Sequence, residues 1–423
     1  MEKKVYTIEF FLDVASQFIV PFVTFYAIYL GFSNIFIGIF NAMLSVSYVL
    51  TFFISLFLIN SQIIKRVFSI SLLIWGISFV MLYYSFSETL FLISIFLRTI
   101  SSSIISACYT WLISKIFRKN TFEKISNLSI IYTSITLFAT IFSGILIKEY
   151  GYFQFIFYIP LIFSIFSIIV LEKIKIVDKD KNYSVNKNPL DYIKGNILQN
   201  FIDKKLKNYA ISLFTFYFSV GIASSFFPVF LKKVLGLSEF EWALITCVEM
   251  ISFLLFFSAI KNVKKTFSIL TLFGVSTFII SLIPLVWIVS KNLIVIILFS
   301  FFSGIAWQLF SILHLTYVSK NFGIINKISF LNIFIGLGLM LGNLIGGIIS
   351  EINLEYVFYI SFVFRFFSSY LFTSFISRRT ISISDIYKNV FISLDFFAYL
   401  LKEFAIQFKS LAPYNHKKDT HKS

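Results

Sequence analysis

The sequence predicts an all-α integral membrane protein: twelve transmembrane helices arranged as two pseudo-symmetric six-helix bundles. Three observations lead there. The chain of 423 residues is 58% hydrophobic and only 13% charged, where soluble proteins are about 45–50% apolar and about 25% charged. Its apolar residues gather into about twelve runs, each near the ~20 residues that a helix needs to cross a bilayer. Its basic residues fall on alternate sides of those runs.

The composition excludes a soluble enzyme, a nucleic-acid reader and a disordered chain. Even a large soluble domain buries only about 75% of the surface its chain exposes, too little to hide this much apolar area; mean hydropathy is +0.89. The net charge of +16, from 36 Lys+Arg against 20 Asp+Glu, sets orientation in a protein of this kind and gives no reason to expect a nucleic-acid partner. Cys108 and Cys247 each lie inside an apolar run and make neither a disulfide framework nor a metal-ligand spacing. The 58 Phe and 22 Tyr read first as the codon bias of an AT-rich genome, so abundance alone marks no aromatic cage.

The runs are 8–30, 35–59, 67–86, 89–116, 127–147, 153–172, 208–231, 240–260, 267–289, 292–319, 327–350 and 354–376. The first carries Glu9 and Asp13 and has no small-residue cleavage site, so it is expected to stay as a span. Runs of this length must be helices, because lipid leaves no partner for bare backbone groups. The ten-residue alternation of a β-barrel is absent from them. With the N-terminus placed in the cytoplasm, 30 basic residues fall on cytoplasmic segments and only Lys148, Lys232, Lys233 and Lys291 on outer loops. That split is a strong positive-inside signal, and one wrong span would scramble it. Both termini are therefore expected in the cytoplasm of a multi-pass cell-membrane protein.

The longest hydrophilic stretch, 173–207, divides the chain into a first bundle over 1–172 and a second over 208–376. The halves repeat. Leu30-Gly31-Phe32-Ser33 matches Leu235-Gly236-Leu237-Ser238 at an offset of 205, and Ile113-Ser114-Lys115-Ile116-Phe117 matches Val318-Ser319-Lys320-Asn321-Phe322 at the same offset. Phe155-Ile156-Phe157-Tyr158-Ile159 matches Tyr356-Val357-Phe358-Tyr359-Ile360 at 201. Beyond Arg379, Ile386, Val390, Leu394, Phe397, Leu401, Phe404 and Phe408 recur at helical spacing. The 377–423 tail is thus read as an amphipathic helix on the inner membrane surface, the other reading being a solvated helix packed on the cytoplasmic loops.

Halves related by a two-fold along the membrane normal are the architecture of many secondary transporters, with the site between them near mid-membrane. Here the chain resembles the major facilitator superfamily over about residues 8–376. The resemblance is carried by the repeated Leu-Gly-x-Ser turn, by Arg98-Thr99-Ile100-Ser101-Ser102 where the family has Arg-x-x-x-Gly, and by the small-residue ladders ending spans five and eleven. The family's Gly-x-x-x-Asp-Arg-x-Gly-Arg-Arg loop is degenerate. Lys65 and Arg66 keep its basic end while Phe57 and Ser61 stand in the Gly and Asp positions, and the repeat keeps Lys261, Lys264 and Lys265 with Ile260 for the Asp. Lys65, Arg66, Lys264 and Lys265 are the expected gating-loop residues. Span five has Thr136-x-x-x-Thr140-x-x-x-Gly144 without the Gly-Pro of many drug antiporters.

Ionisable side chains within a span usually face a partner or a wet cavity. The resemblance implies a cavity lined by spans one, four, seven and ten. Asp13 and Gln17 share a face of span one. Arg98, Ser102 and Tyr109 form a stripe on span four, and the 205 offset sets Ser303, Trp307 and His314 opposite them on span ten. Ser and Tyr also serve as hydrogen-bonding glue between helices. Asp13 reads either as a proton carrier, loading and releasing as water enters and leaves, or as a charge favoured by the helix dipole. Glu249, mid-span on the eighth, reads as a proton-coupling carboxyl or a structural hydrogen-bonder. Arg365 lies on peripheral span twelve and is not expected to touch substrate. The glycines Gly336, Gly338, Gly342, Gly346 and Gly347 are read as packing positions.

No Walker lysine loop or paired metal ligands appear, so no catalysis, cofactor or metal is expected. The resemblance implies a monomeric secondary active transporter of a small solute, with protons as the simplest driving ion, Arg98 attracting an anionic or polar group and Asp13, Glu249 or His314 carrying protons. Membrane lipids are its surroundings. The rival readings are a proton-driven exporter of hydrophobic compounds and a non-transporting sensor or lipid scramblase on the same fold.

Overall fold

The structure is a computed structural model that describes residues 2–57, 61–116, 121–152, 154–174, 204–257, 269–322 and 325–377. The tail helix, most of the central hydrophilic stretch, and Lys264 and Lys265 lie outside the described residues.

The described chain is helical throughout. Its helices are α1 (Glu2–Gln17), α2 (Val23–Tyr29), α3 (Asn34–Phe57), α4 (Ser61–Tyr83), α5 (Glu88–Ile116), α6 (Thr121–Tyr150), α7 (Gln154–Glu172), α8 (Lys204–Ser224), α9 (Phe227–Lys233), α10 (Glu239–Phe257), α11 (Ile269–Ser290), α12 (Leu293–Phe322), α13 (Ile325–Ile352) and α14 (Leu354–Ser377). Among the described residues, ten stretches are long and apolar enough to cross a membrane. Each expected run overlaps a helix, with starts differing by up to six residues, and there is one correction. Runs 8–30 and 208–231 are not continuous helices. The first breaks midway, through a 3-10 turn over Val20–Phe22 that carries Pro21, and the second near its end, before Pro228 in the first turn of α9. Proline has no N–H to donate to the preceding turn and suits the first positions of the following helix.

Packing partners recur along the chain. α1 packs on α6 and α7, α4 on α5 and α7, and α3 on α5. In the same order α8 packs on α13 and α14, α11 on α12 and α14, and α10 on α12. The first set is joined to the second by α3 against α13, α6 against α10, and α2 against α9. The repeated Leu-Gly turns carry Gly31 at φ +79° and Gly236 at φ +67°, a left-handed conformation that glycine adopts without Cβ strain. Each turn then caps a helix. Ser33 Oγ accepts from the Phe36 amide at 3.1 Å, and the Ser238 amide donates to Glu241 Oε2 at 2.7 Å, half of a capping box.

α13 is the hub, and its glycines divide between two faces. A Cβ on Gly338 would sit 2.6 Å from the Phe214 carbonyl oxygen of α8, and Gly342 and Gly346 lie as close to the α8 backbone. Gly347 faces Gly38 of α3, and Gly336 faces Tyr48 and Val49. Between these faces the buried Asn343 accepts from Ser225 Oγ at 2.5 Å and donates to Ser45 Oγ at 3.2 Å.

Candidate functional site

The two sets of helices are closed together at one end, the end of the Gly31 and Gly236 turns. There Tyr152 donates to Glu239 Oε1 at 3.1 Å, and Lys232 pairs with the same carboxylate at 3.3 Å. Lys233 donates to Asn34 Oδ1 at 2.9 Å, and the Ile35 amide donates to Glu351 Oε1 at 3.1 Å. Lys148 lies over the Phe240 ring at 4.7 Å. Tyr152 is outside the spans; burial, the Glu239 charge and the hydrogen bond to it push its phenol well above the ordinary value. It therefore stays a donor at neutral pH. At the same end Asn34 Nδ2 donates to the Ser350 carbonyl oxygen at 3.4 Å; deeper polar contacts between the two sets run through Asn343 to Ser45 and through Cys247 Sγ to the Leu137 carbonyl oxygen at 3.4 Å. α5 and α12, expected to face each other, share no sustained packing.

On the first-half side, Asp13 is 7% exposed and its Oδ2 has no hydrogen-bond partner. Glu9 precedes it by one helical turn. The Tyr109 hydroxyl of α5 lies beside the Glu9 carboxylate and within electrostatic reach of Asp13. Gln17 donates to the Tyr132 hydroxyl of α6 at 3.1 Å. Tyr132 in turn lies within reach of Asp13, Glu9 and Tyr48 of α3, and Tyr48 within reach of Tyr217 of α8. Tyr48 and Tyr132 are 44% and 40% exposed, and they lie within reach of each other between α3 and α6, which share no sustained packing.

Arg98 sits apart from this cluster. Its guanidinium lies 4.8 Å over the Phe79 ring of α4, Nη1 is buried without a partner, and it forms no ion pair among the described residues. Ser102, half-buried, donates back to the Thr99 carbonyl oxygen at 3.1 Å.

On the second-half side, Glu249 of α10 accepts from Ser303 Oγ of α12 at 3.2 Å. Gly304 makes this approach possible, since a Cβ there would run into the Glu249 carbonyl oxygen and Ser252 Oγ. Trp307 packs on Phe216 and Phe310, with ring centroids 5.7 and 6.1 Å apart. His314 Nδ1 shares a 2.8 Å hydrogen bond with the Tyr209 hydroxyl of α8, and the two rings stack at 5.8 Å. Arg365 reaches α11, donating to the Ile280 carbonyl oxygen at 3.1 Å. Lys65 is half-buried and Arg66 exposed near the start of α4.

The structure thus brings together Asp13 with Tyr109, and Glu249 with Ser303. It turns Tyr109 toward α1 and His314 toward α8. Sequence reasoning passed over Tyr48, Tyr132, Tyr217 and Asn343. The tyrosines are lost in a chain with 22 of them. Asn343 stands amid the α13 glycines, and the interruption of a small-residue ladder by an amide was the available signal.

The Major Facilitator Superfamily model matches residues 5–326. No curated protein matches the sequence. Among solved structures, the fold is similar to that of the nucleoside transporter NupG, with a TM-score of 0.69 at 14% identity over 90% of this chain and 99% of that one. A point mutant of the same transporter gives 0.69 over 88% and 99%. A structure of a proton-dependent oligopeptide transporter gives 0.64 at 11% identity over 88% and 95%. At these identities the likeness is one of fold.

Proposed function

Because the chain belongs to the major facilitator superfamily, and so is a multi-pass membrane transporter and not an enzyme, we propose that it is a secondary active transporter moving a small solute by alternating access with protons as the driving ion. In this reading twelve spans form two bundles, residues 1–172 and 208–376, joined by the cytoplasmic stretch 173–207 and followed by the 377–423 tail. The positive-inside count puts both termini in the cytoplasm and the sealed end outside. The space lined by Tyr48 and Tyr132 then opens inward. The protein works as a monomer in the cell membrane.

One observation carries the reading: the two sets of helices are pinned by polar contacts at one end while α5 and α12 stay apart. Such a molecule can exchange its closed end. Asp13 with Glu9 carries protons: the two carboxylates stand one turn apart in the span and Asp13 Oδ2 is buried without a partner. Glu249, held by Ser303, is the second candidate carrier. Arg98 and Ser102 are the substrate-facing candidates on α5, and Trp307 and His314 those on α12. One charge crossing 100 mV provides about 2.3 kcal/mol, enough for roughly fifty-fold accumulation. Solutes of nucleoside or peptide size, which the fold neighbours are named for moving, are the class to screen first.

The test is flux into proteoliposomes from a solute library pre-screened by thermal shift, with and without an imposed pH gradient. Gradient-driven flux supports the reading; absence of solute flux with lipid flip-flop in its place overturns it. Arg98→Ala, correctly inserted, is expected to abolish flux, and normal flux by that variant removes Arg98 from the site.

A further inference from the structure

A proline inside a helix leaves one carbonyl without its donor. Pro284 stands inside α11. The amide that would serve the Ile280 carbonyl oxygen, one turn earlier, belongs to position 284 and is missing. Ile280 is fully buried, and a buried carbonyl is normally paired. Its donor comes from another helix: Arg365 Nη1 of α14 reaches that oxygen at 3.1 Å. The carbonyl that the proline orphans is thus the one that the guanidinium meets.

Arg365 is 2% exposed, and burying a cation is costly. Packing alone is met as well by an apolar side chain of similar volume. What the guanidinium adds is a donor long enough to cross from α14 to α11, with the strength of a charge-assisted bond. Two further contacts keep the same antiparallel register along this seam. Just past the end of α11, Lys291 Nζ pairs with Glu355 Oε1 at 2.7 Å, and on the other side of Ile280 the Thr277 and Ser369 hydroxyls meet at 2.9 Å. Thr277 also bonds back to the Phe273 carbonyl oxygen at 2.7 Å, a contact that favours bending of its helix.

The first half supplies a comparison within the same molecule. There α4 and α7 form the matching pair, and the offset of 201 sets Ser164 at the place of Arg365. α4 has no proline, and the Ser164 hydroxyl donates to the Pro160 carbonyl oxygen of its own helix at 2.7 Å. The long donor stands where the facing helix carries a proline, and a short one stands where it carries none.

We propose that Arg365 is a positioning residue that stands in for the amide Pro284 lacks, so that α14 holds a hinge in α11 shut. With the bond made, α11 runs through Pro284 as one rod and moves with α14. With the bond broken, the part of α11 beyond Pro284 bends on its own, as helices do at proline. The inference goes beyond the transport reading and does not rest on it, since its test reads no flux.

The experiment is hydrogen–deuterium exchange of the purified full-length protein, followed on peptides that cover α11 and, for comparison, α4. In Arg365→Met the amides just beyond Pro284 should exchange at least about fivefold faster, because that turn opens locally, while α4 and the melting temperature are not lowered. Adding Pro284→Ala to Arg365→Met should return exchange to the wild-type rate, because an alanine there brings its own amide to the Ile280 carbonyl oxygen. A loss of packing around Arg365 would not be repaired in this way. Pro284→Ala alone should exchange no faster than the wild type. If Arg365→Met is too unstable to purify, the double variant decides: a folded double variant with wild-type exchange supports the hinge, and one that stays unfolded counts against it. Unchanged exchange in Arg365→Met, or faster exchange that Pro284→Ala leaves in place, overturns the proposal.

Discussion

Removing the Tyr152 hydroxyl should unlatch the closed end. Tyr152→Phe keeps the ring against Tyr26 and Tyr29, whose centroids are 5.3 and 5.6 Å away, and deletes only the 3.1 Å bond to Glu239. Glu239 keeps Lys232 at 3.3 Å. A hydrogen bond to a charged group contributes about 1.5–3 kcal/mol. This one joins α10 to the turn between α6 and α7, so it exists only while the end is shut; opened, both groups are hydrated. With 1.4 kcal/mol per decade, the open fraction should rise about ten- to one-hundredfold. The assay is maleimide labelling, from the closed side, of a cysteine at Tyr48 in a Cys108→Ser, Cys247→Ser background, since both native cysteines are buried. The labelling rate follows the open fraction even when that fraction is small. Tyr158→Phe is the control, because the Tyr84–Tyr158 contact at 3.2 Å joins α7 to the end of α4 within one half. The rate should rise in the first variant and stay level in the second. An unchanged rate in Tyr152→Phe would refute the latch.

Three further outcomes follow from the packing. Gly342→Leu should lower thermal stability, because a side chain there meets the α8 backbone at Phe218 and Gly221; overpacking costs typically about 1–3 kcal/mol, readable as a drop of several degrees in Tm. Asn343→Ala should cost about 1–3 kcal/mol by leaving Ser225 and Ser45 without their buried partner, and a melting curve matching the wild type would count against the bridge. Arg365→Met should fold at least as well as the wild type and keep transport, since a buried cation with one carbonyl acceptor is often replaceable by an apolar residue of similar volume. Arg365→Ala, which leaves a cavity, should be markedly less stable in the same denaturation assay.

The helices were legible because membrane insertion writes itself into composition. Run 35–59 became Asn34–Phe57, and 354–376 became Leu354–Ser377. The breaks at Pro21 and Pro228 were not, since an average over twenty residues is blind to one missing N–H. The site was legible in part. Asp13, Gln17 and Tyr109 announce themselves as polar groups in apolar surroundings. Which neighbour each one meets depends on helix rotation that spacing along one helix does not fix. Hence His314 meeting Tyr209, and Arg98 covering Phe79, could be seen only in three dimensions. Tyr48 and Tyr132 were hidden for another reason: in a chain this rich in aromatics, a ring that lines the interior space and one that faces lipid look alike.

The two proline breaks give α2 and α9 an independence the long helices lack. Phe18, just past the end of α1, keeps its carbonyl oxygen occupied by the Ser143 hydroxyl of α6, so the elbow beneath α2 is anchored to the frame while the short helix above it is not continuous with the shaft. α2 and α9 meet each other directly. Together they cover the end that holds the Gly31 and Gly236 turns, so a sequence change confined to those few residues would alter that cover while leaving the long helices as they are.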